Sequence, residues 1–458
     1  MANVTGEAAP RRPSGNALLD GPILKTLVAL SAPNLIALGS AAIITIAETA
    51  YVGRLGVPSL AGVALVFPVI MLMQMMSAGA MGGGISGAVS RALGAGDQPR
   101  AEALALASAV IGLIAGLSFA VIIWIAGPAI FALLGGEGEA LEAAVTYAHV
   151  AALGILAIWL TNCLASVSRG SGDMAGPAFI VLFAGLLQIT VGGALGLGIG
   201  PIPRLGVSGV ATGQVVGFTV AAVLLLLRLR APTSRVRLYL DPTRFDVARF
   251  KDILRIGLPA TLSPIQSVLT IMIVTALVAR FGAEALAGYG IGARLEFLLI
   301  PIAFSVGVAC VPMVGAAIGA GDVVRARKVA WTAGALATAA LTVIGGLVMI
   351  APDLWGRLFV SDERVLEVTR TYLRVAGLGF PLFGLGLCLY FASQGAGKVV
   401  GPIIAQALRL AIVAIGGWLL LQAQAPLWTL FALVAAAMAV LGVGTALAIR
   451  VTPWVARS

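Results

Sequence analysis

The chain has 458 residues, 60% hydrophobic and only 10% charged, with a mean hydropathy of +1.05. Soluble domains carry roughly a quarter charged residues, so a surface this poor in charge faces hydrocarbon, and its long unbroken apolar runs exclude the alternating pattern of a β-barrel. The formal charge of +10 sits in short connections rather than in a basic, aromatic-interleaved groove, which argues against a nucleic-acid partner.

Residues 1–26 are expected to be a cytoplasmic tail, polar, rich in Pro and Gly and disordered over residues 1–20. Twelve spans follow, at 27–53, 59–88, 103–127, 141–167, 175–199, 206–229, 250–281, 285–315, 328–351, 364–392, 400–422 and 427–450. Several exceed the ~20 residues needed to cross a bilayer. Residues 230–249 read as a loose, flexible cytoplasmic linker between an N-lobe (27–229) and a C-lobe (250–450), and 451–458 as a second cytoplasmic tail. Most Lys and Arg fall in alternate connections, eight of them between Arg228 and Arg255, while Glu137, Glu139, Glu142, Asp362 and Glu363 lie on the other side. The positive-inside rule then places both termini in the cytoplasm.

The two lobes repeat each other at an offset of 225 or 226 residues. RLGVPSLAG (Arg54–Gly62) matches RFGAEALAG (Arg280–Gly288), and LGAGDQPRA (Leu93–Ala101) matches IGAGDVVRA (Ile318–Ala326). Tyr147–Pro177 matches Tyr372–Pro402 at 13 of 31 positions without a gap. Six spans per lobe is an even number, so both lobes enter the membrane the same way. The predicted fold is therefore all-α and polytopic, two pseudo-symmetric six-helix lobes in parallel repeat around a central cleft.

Charged groups inside spans are functional candidates. Glu48, near the end of the first span, is a candidate proton- or cation-binding carboxylate, against the plainer reading of a hydrogen-bonded boundary residue. Arg294 and Glu296 lie deep in the eighth span, two residues apart and so needing separate partners. Asn34, Gln74, Asn162, Gln188, Gln214 and Gln266 supply uncharged polar groups, each a candidate cleft contact or interhelical hydrogen-bonding residue. Pro33 and Pro259 occupy equivalent places in the first helix of each lobe and could bend it. Cys163, Cys310 and Cys388 have no metal-ligand spacing and read as buried free thiols. GAGK (Gly395–Lys398) lacks the first Gly and the Ser/Thr of a phosphate loop, and no other enzyme motif is present.

Pro33 with Glu48 in ETAYVGRLG, the following LAGVAL, the paired GAGD loops, RGSGD…GP (Arg169–Pro177) and ARLEF…P (Ala293–Pro301) together resemble a bacterial multidrug and toxic compound extrusion (MATE) transporter over essentially the whole chain. The resemblance implies a monomeric antiporter in the cytoplasmic membrane, with no cofactor and no metal site beyond Na⁺ at Glu48. It would export cationic or amphipathic small molecules in exchange for H⁺ or Na⁺. It also implies a coupling carboxylate at Glu48, where the family usually has Asp, and Glu296 as the C-lobe acid. A lipid-linked oligosaccharide flippase of related two-lobed architecture is the alternative.

Overall fold

A computed structural model describes residues 17–241 and 246–454. Residues 1–16, 242–245 and 455–458, parts of the expected tails and linker, lie outside the described residues. Among the described residues, twelve helices are long and apolar enough to cross a membrane. They are α1 (Ile23–Gly53), α2 (Val57–Gly94), α3 (Gln98–Leu133), α4 (Gly138–Gly170), α5 (Ala175–Leu197), α6 (Val207–Arg230), α7 (Val247–Ala279), α8 (Ala283–Gly319), α9 (Val323–Ile350), α10 (Glu363–Ala396), α11 (Val400–Gln422) and α12 (Leu427–Val451). Leu117, Phe179, Leu347 and Leu447 are each more than half exposed, the distribution expected of helices that meet lipid rather than water.

Two large hydrophobic cores divide the described residues, beside a small third cluster that includes Ala80, Ala260, Val311 and Phe391. One holds Val66, Leu104, Phe131, Trp159 and Leu225; the other holds Val274, Leu341, Tyr372, Phe380 and Phe431. Helix α1 belongs to both sides. Leu27 is buried in the second core, whereas Ile44 abuts Gly185 of α5 in the first.

The repeated GAGD loops have a local cause. Gly96 and Gly321 turn the chain with φ of +76° and +77°, a region that favours glycine. The next residues, Asp97 and Asp322, cap α3 and α9 by accepting from the Arg100 and Arg325 amides at 3.0 and 2.8 Å. At this end the lobes meet. A Cβ on Gly94 would lie 2.1 Å from the Ala316 carbonyl, and one on Gly319 would lie 2.0 Å from that of Arg91. Arg91 Nη1 also crosses the seam to the carbonyls of Gln394 and Gly395 at 3.2 and 2.7 Å. Lobe-to-lobe packing is concentrated here.

Two expectations change. Ala17–Asp20 forms a helical turn rather than a disordered tail, with Leu18 4% exposed, because Arg325 holds the carbonyl of Gly21 at 2.7 Å. The described part of the linker is docked, not loose. Val236 and Leu238 are buried in the first core, and Gln98 donates to the Arg235 carbonyl at 2.7 Å. The two prolines also behave differently. Helix α1 runs unbroken through Pro33, while α7 is interrupted at Thr261, two residues after Pro259. Helices α2 and α11 pass through π-helical stretches at Met75–Met81 and Ile412–Gly416, which the sequence pattern did not reveal.

Candidate functional site

Glu48 lies five residues from the end of α1, about 7–8 Å along the axis. Gln188 Nε2 of α5 donates to its Oε1 at 2.6 Å. Helix α5 approaches this closely because Gly185, Gly192 and Gly193 line the face against α1, so Ile44 and Tyr51 fit against bare backbone. The hydroxyls of Tyr51 and Tyr147 lie within electrostatic reach of Glu48. That of Tyr147 donates to Gln214 at 3.4 Å, and the buried hydroxyl of Tyr51 has no hydrogen-bond partner. Among the described residues no basic side chain pairs with Glu48. The site is a half-buried carboxylate held by one amide. Its charge is uncompensated, so taking up a proton or a small cation relieves the cost of burying it.

Glu296 sits thirteen residues into α8, about 20 Å along it. The Tyr372 hydroxyl of α10 donates to its Oε1. Tyr289 packs edge-on to Tyr372 with centroids 5.2 Å apart, and Phe431 does the same from α12 at 5.0 Å. Tyr147 and Tyr372 are repeat mates, so each lobe sets an equivalent tyrosine near an acid, though the acids come from different helices.

The remaining candidates divide. Asn162 donates to Ser77 in the π-helical stretch at 2.7 Å, and buried Asn34 donates weakly to the Met174 sulfur at 3.5 Å. Both tie helices together. Gln188 and Gln214 belong to the Glu48 cluster. Gln74 ends the α-helical part of α2, and Gln266 on α7 has a buried Oε1 without a partner. Arg294 points away from Glu296. It is exposed, with its guanidinium 5.4 Å from the Phe359 ring centroid.

Arg409 is the residue that reading the sequence missed. It stands in the middle of α11, 6% exposed, with its guanidinium 5.3 Å from the Phe383 centroid and within electrostatic reach of Glu296, Tyr289 and Tyr372. A charge ten residues into an apolar run is a legible signal. It was obscured because most other basic residues mark connections.

The MatE family model matches the chain twice, over residues 33–192 and 259–419, once in each lobe. The chain is 27% identical to a FAD transporter of Shewanella oneidensis over 406 residues, 86% of this chain and 87% of that protein. It is 24% identical to the probable multidrug resistance protein NorM of Thermotoga maritima, covering 78% and 77% of the two. Among solved structures it superposes with a TM-score of 0.85 on the outward-facing conformation of a multidrug resistance MATE family transporter, at 24% identity over 96% of this chain and 98% of that one. It is similar as well to a MOP superfamily transporter from Pyrococcus furiosus, with a TM-score of 0.86 at 24% identity, again over 96% and 98%. With two matching repeats, twelve spanning helices and a cleft between two lobes, the chain belongs to the MATE family of multidrug efflux transporters.

Proposed function

We propose that this protein is a secondary-active antiporter of the bacterial cytoplasmic membrane. It exports organic cations and amphipathic drugs in exchange for H⁺ or Na⁺ by rocking its two lobes. In this reading both termini and the linker face the cytoplasm, as the basic connections favour. The observation that carries it is Glu48, a half-buried carboxylate with a single amide donor and no basic partner among the described residues. Loading this group with a proton or Na⁺ removes a buried charge, which gives the coupling ion a differential effect on two lobe arrangements. Glu296 takes second rank, because the Tyr372 hydroxyl donates to it and a basic residue, Arg409, lies within electrostatic reach.

The test is ethidium efflux by everted vesicles with pH and Na⁺ gradients imposed separately. Gradient-driven transport that Glu48→Gln abolishes, at unchanged expression, supports the reading. No response of any cationic dye to either gradient overturns it.

A further inference from the structure

The first half of α7 has two faces. Ile253 is buried in the first core, and Gly257 lies against Met81 and Gly84 of α2, so this face belongs to the seam with the other lobe. On the opposite face stand Lys251, Arg255 and Leu258, all exposed. At 3.6 residues per turn they fall within about 60° of one another, so one stripe carries two cations and then a leucine that is 60% exposed. The neighbouring acid, Asp252, is taken by Arg100 at 3.0 Å and by Arg249 at 3.7 Å. Among the described residues, neither Lys251 nor Arg255 has a side-chain hydrogen bond or an ion pair.

The connection into α11 runs beside this helix, where a Cβ on Gly397 would sit 3.5 Å from Ile256 Cδ1. It brings a third cation, Lys398, whose side chain also has no partner among the described residues. Helix α11 then exposes Val400 and Ile404, one turn apart, at 65% and 54%. Cations at the end of a spanning helix pair, with exposed aliphatic side chains a turn further in, match a molecule with an anionic head and apolar tails.

Basic residues crowd this end of the molecule, so their number alone selects no site. The other lobe supplies the contrast. The repeat mates of Lys251, Arg255 and Leu258 are Lys25, Ala29 and Ala32, and that of Lys398 is Asp173, which Arg228 engages at 2.7 Å. One lobe gathers three unpaired cations where the other has a single lysine and a closed ion pair.

We propose that Lys251, Arg255 and Lys398 bind the phosphate headgroup of an anionic phospholipid, whose acyl chains lie along Leu258, Val400 and Ile404. The site needs only the spanning fold, and neither transport nor a particular orientation of the chain.

The test places a bimane label on Leu258→Cys in the purified full chain, where the native cysteines are buried. The protein is held in phosphatidylcholine nanodiscs containing a trace of phosphatidylglycerol or phosphatidylcholine with the same nitroxide-bearing acyl chain. Phosphatidylglycerol should quench as though enriched about fivefold or more, the contribution of one basic residue near a bilayer surface. Lys251→Gln with Arg255→Gln should remove most of that preference, whereas Lys25→Gln should leave it unchanged. A label at Ala32→Cys, the repeat mate, should report a smaller preference. Raising NaCl from about 0.05 M to about 0.5 M should weaken the preference at Leu258, a measurement that needs no charge-removing variant. Equal quenching by the two lipids at Leu258, a preference that survives the double substitution or high salt, or an equal preference at Ala32 would each overturn the site.

Discussion

Gly94 of α2 and Gly319 of α8 are repeat mates, and each lies against the backbone of the other's helix at the linker end of the lobes. Their partners, Ala316 and Arg91, are themselves repeat mates, so the seam obeys the pseudo-two-fold that relates the lobes. Backbone-to-backbone approach of this kind has no room for a side chain. A Cβ at either glycine falls about 2 Å from a carbonyl oxygen, and neither neighbour can move without moving its helix. Gly319→Val should therefore leave each lobe folded but prise this end apart, at an overpacking cost of about 1–3 kcal/mol. Spin labels at Ala95→Cys and Val324→Cys, exposed positions flanking the seam, should report a longer distance in that variant. Arg91→Ala should shift the distribution the same way, since it deletes two hydrogen bonds from a charged donor. An unchanged distance distribution in both variants would show that the seam does not hold the lobes together.

The Glu48–Gln188 contact gives a second prediction. A hydrogen bond to a charged group contributes about 1.5–3 kcal/mol, so Gln188→Leu should lower gradient-driven ethidium efflux in vesicles by roughly tenfold or more. Gln188→Asn is one methylene short of the 2.6 Å contact and should fall with it. Gln214→Leu should cost less, because Gln214 touches Tyr147 rather than the carboxylate. Equal losses from Gln188→Leu and Gln214→Leu would argue that both merely pack the lobe.

These two sites show where the sequence was legible. Span number, the repeat and the GAGD turns follow from apolar runs, self-similarity and glycine–aspartate chemistry, all local properties. Glu48 stood out as a charge in an apolar helix. Its partner Gln188 was among the candidate amides, but 140 residues separate the two and no local rule pairs them. Arg409 was visible by the same criterion as Glu48 and escaped notice amid the basic connections. The roles of Arg91, Gly94 and Gly319 depend on how the lobes meet, which tertiary packing decides. The linker reads as polar and loose, yet Val236 and Leu238 dock on the first core; two buried aliphatic residues outweigh the composition around them.

Outside the membrane-spanning segments, Asp353 supplies a pH prediction. The Arg370 guanidinium grips it in a bidentate pair, with Nε to Oδ1 at 2.6 Å and Nη2 to Oδ2 at 3.1 Å, and holds its carboxyl below the usual range. A carboxyl whose folded value is depressed contributes its stability above its unfolded value, near 3.9, and loses it as pH falls through the folded value. The pair should therefore be intact at every pH from 5 upward. The gap in melting temperature between wild type and Asp353→Asn in detergent should be constant from pH 7 to pH 5 and shrink below about pH 4. A gap that grew on acidification would reverse the sign and place the stabilisation elsewhere.

The last prediction concerns the turn that precedes α1. Leu18 packs its Cδ1 against Gly172, in the α4–α5 connection of one lobe, where an added Cβ would sit at 3.3 Å. Its own carbonyl and that of Gly21 accept from Arg325 at the start of α9 in the other lobe, at 3.4 and 2.7 Å. The turn thus bridges both lobes at the end where they meet, and it must break at least one of these contacts if that end opens. Truncating a buried leucine costs about 2–5 kcal/mol where the cavity cannot collapse, so Leu18→Ser should favour the arrangement open at the linker end. Arg325→Gln should do the same from the other side of the bridge, while Leu24→Ser, a neighbouring leucine that is 55% exposed, should not. The spin-label pair at Ala95→Cys and Val324→Cys reads all three. If Leu18→Ser and Arg325→Gln leave the distance distribution as it is in the wild type, the turn merely decorates one lobe and does not restrain the pair.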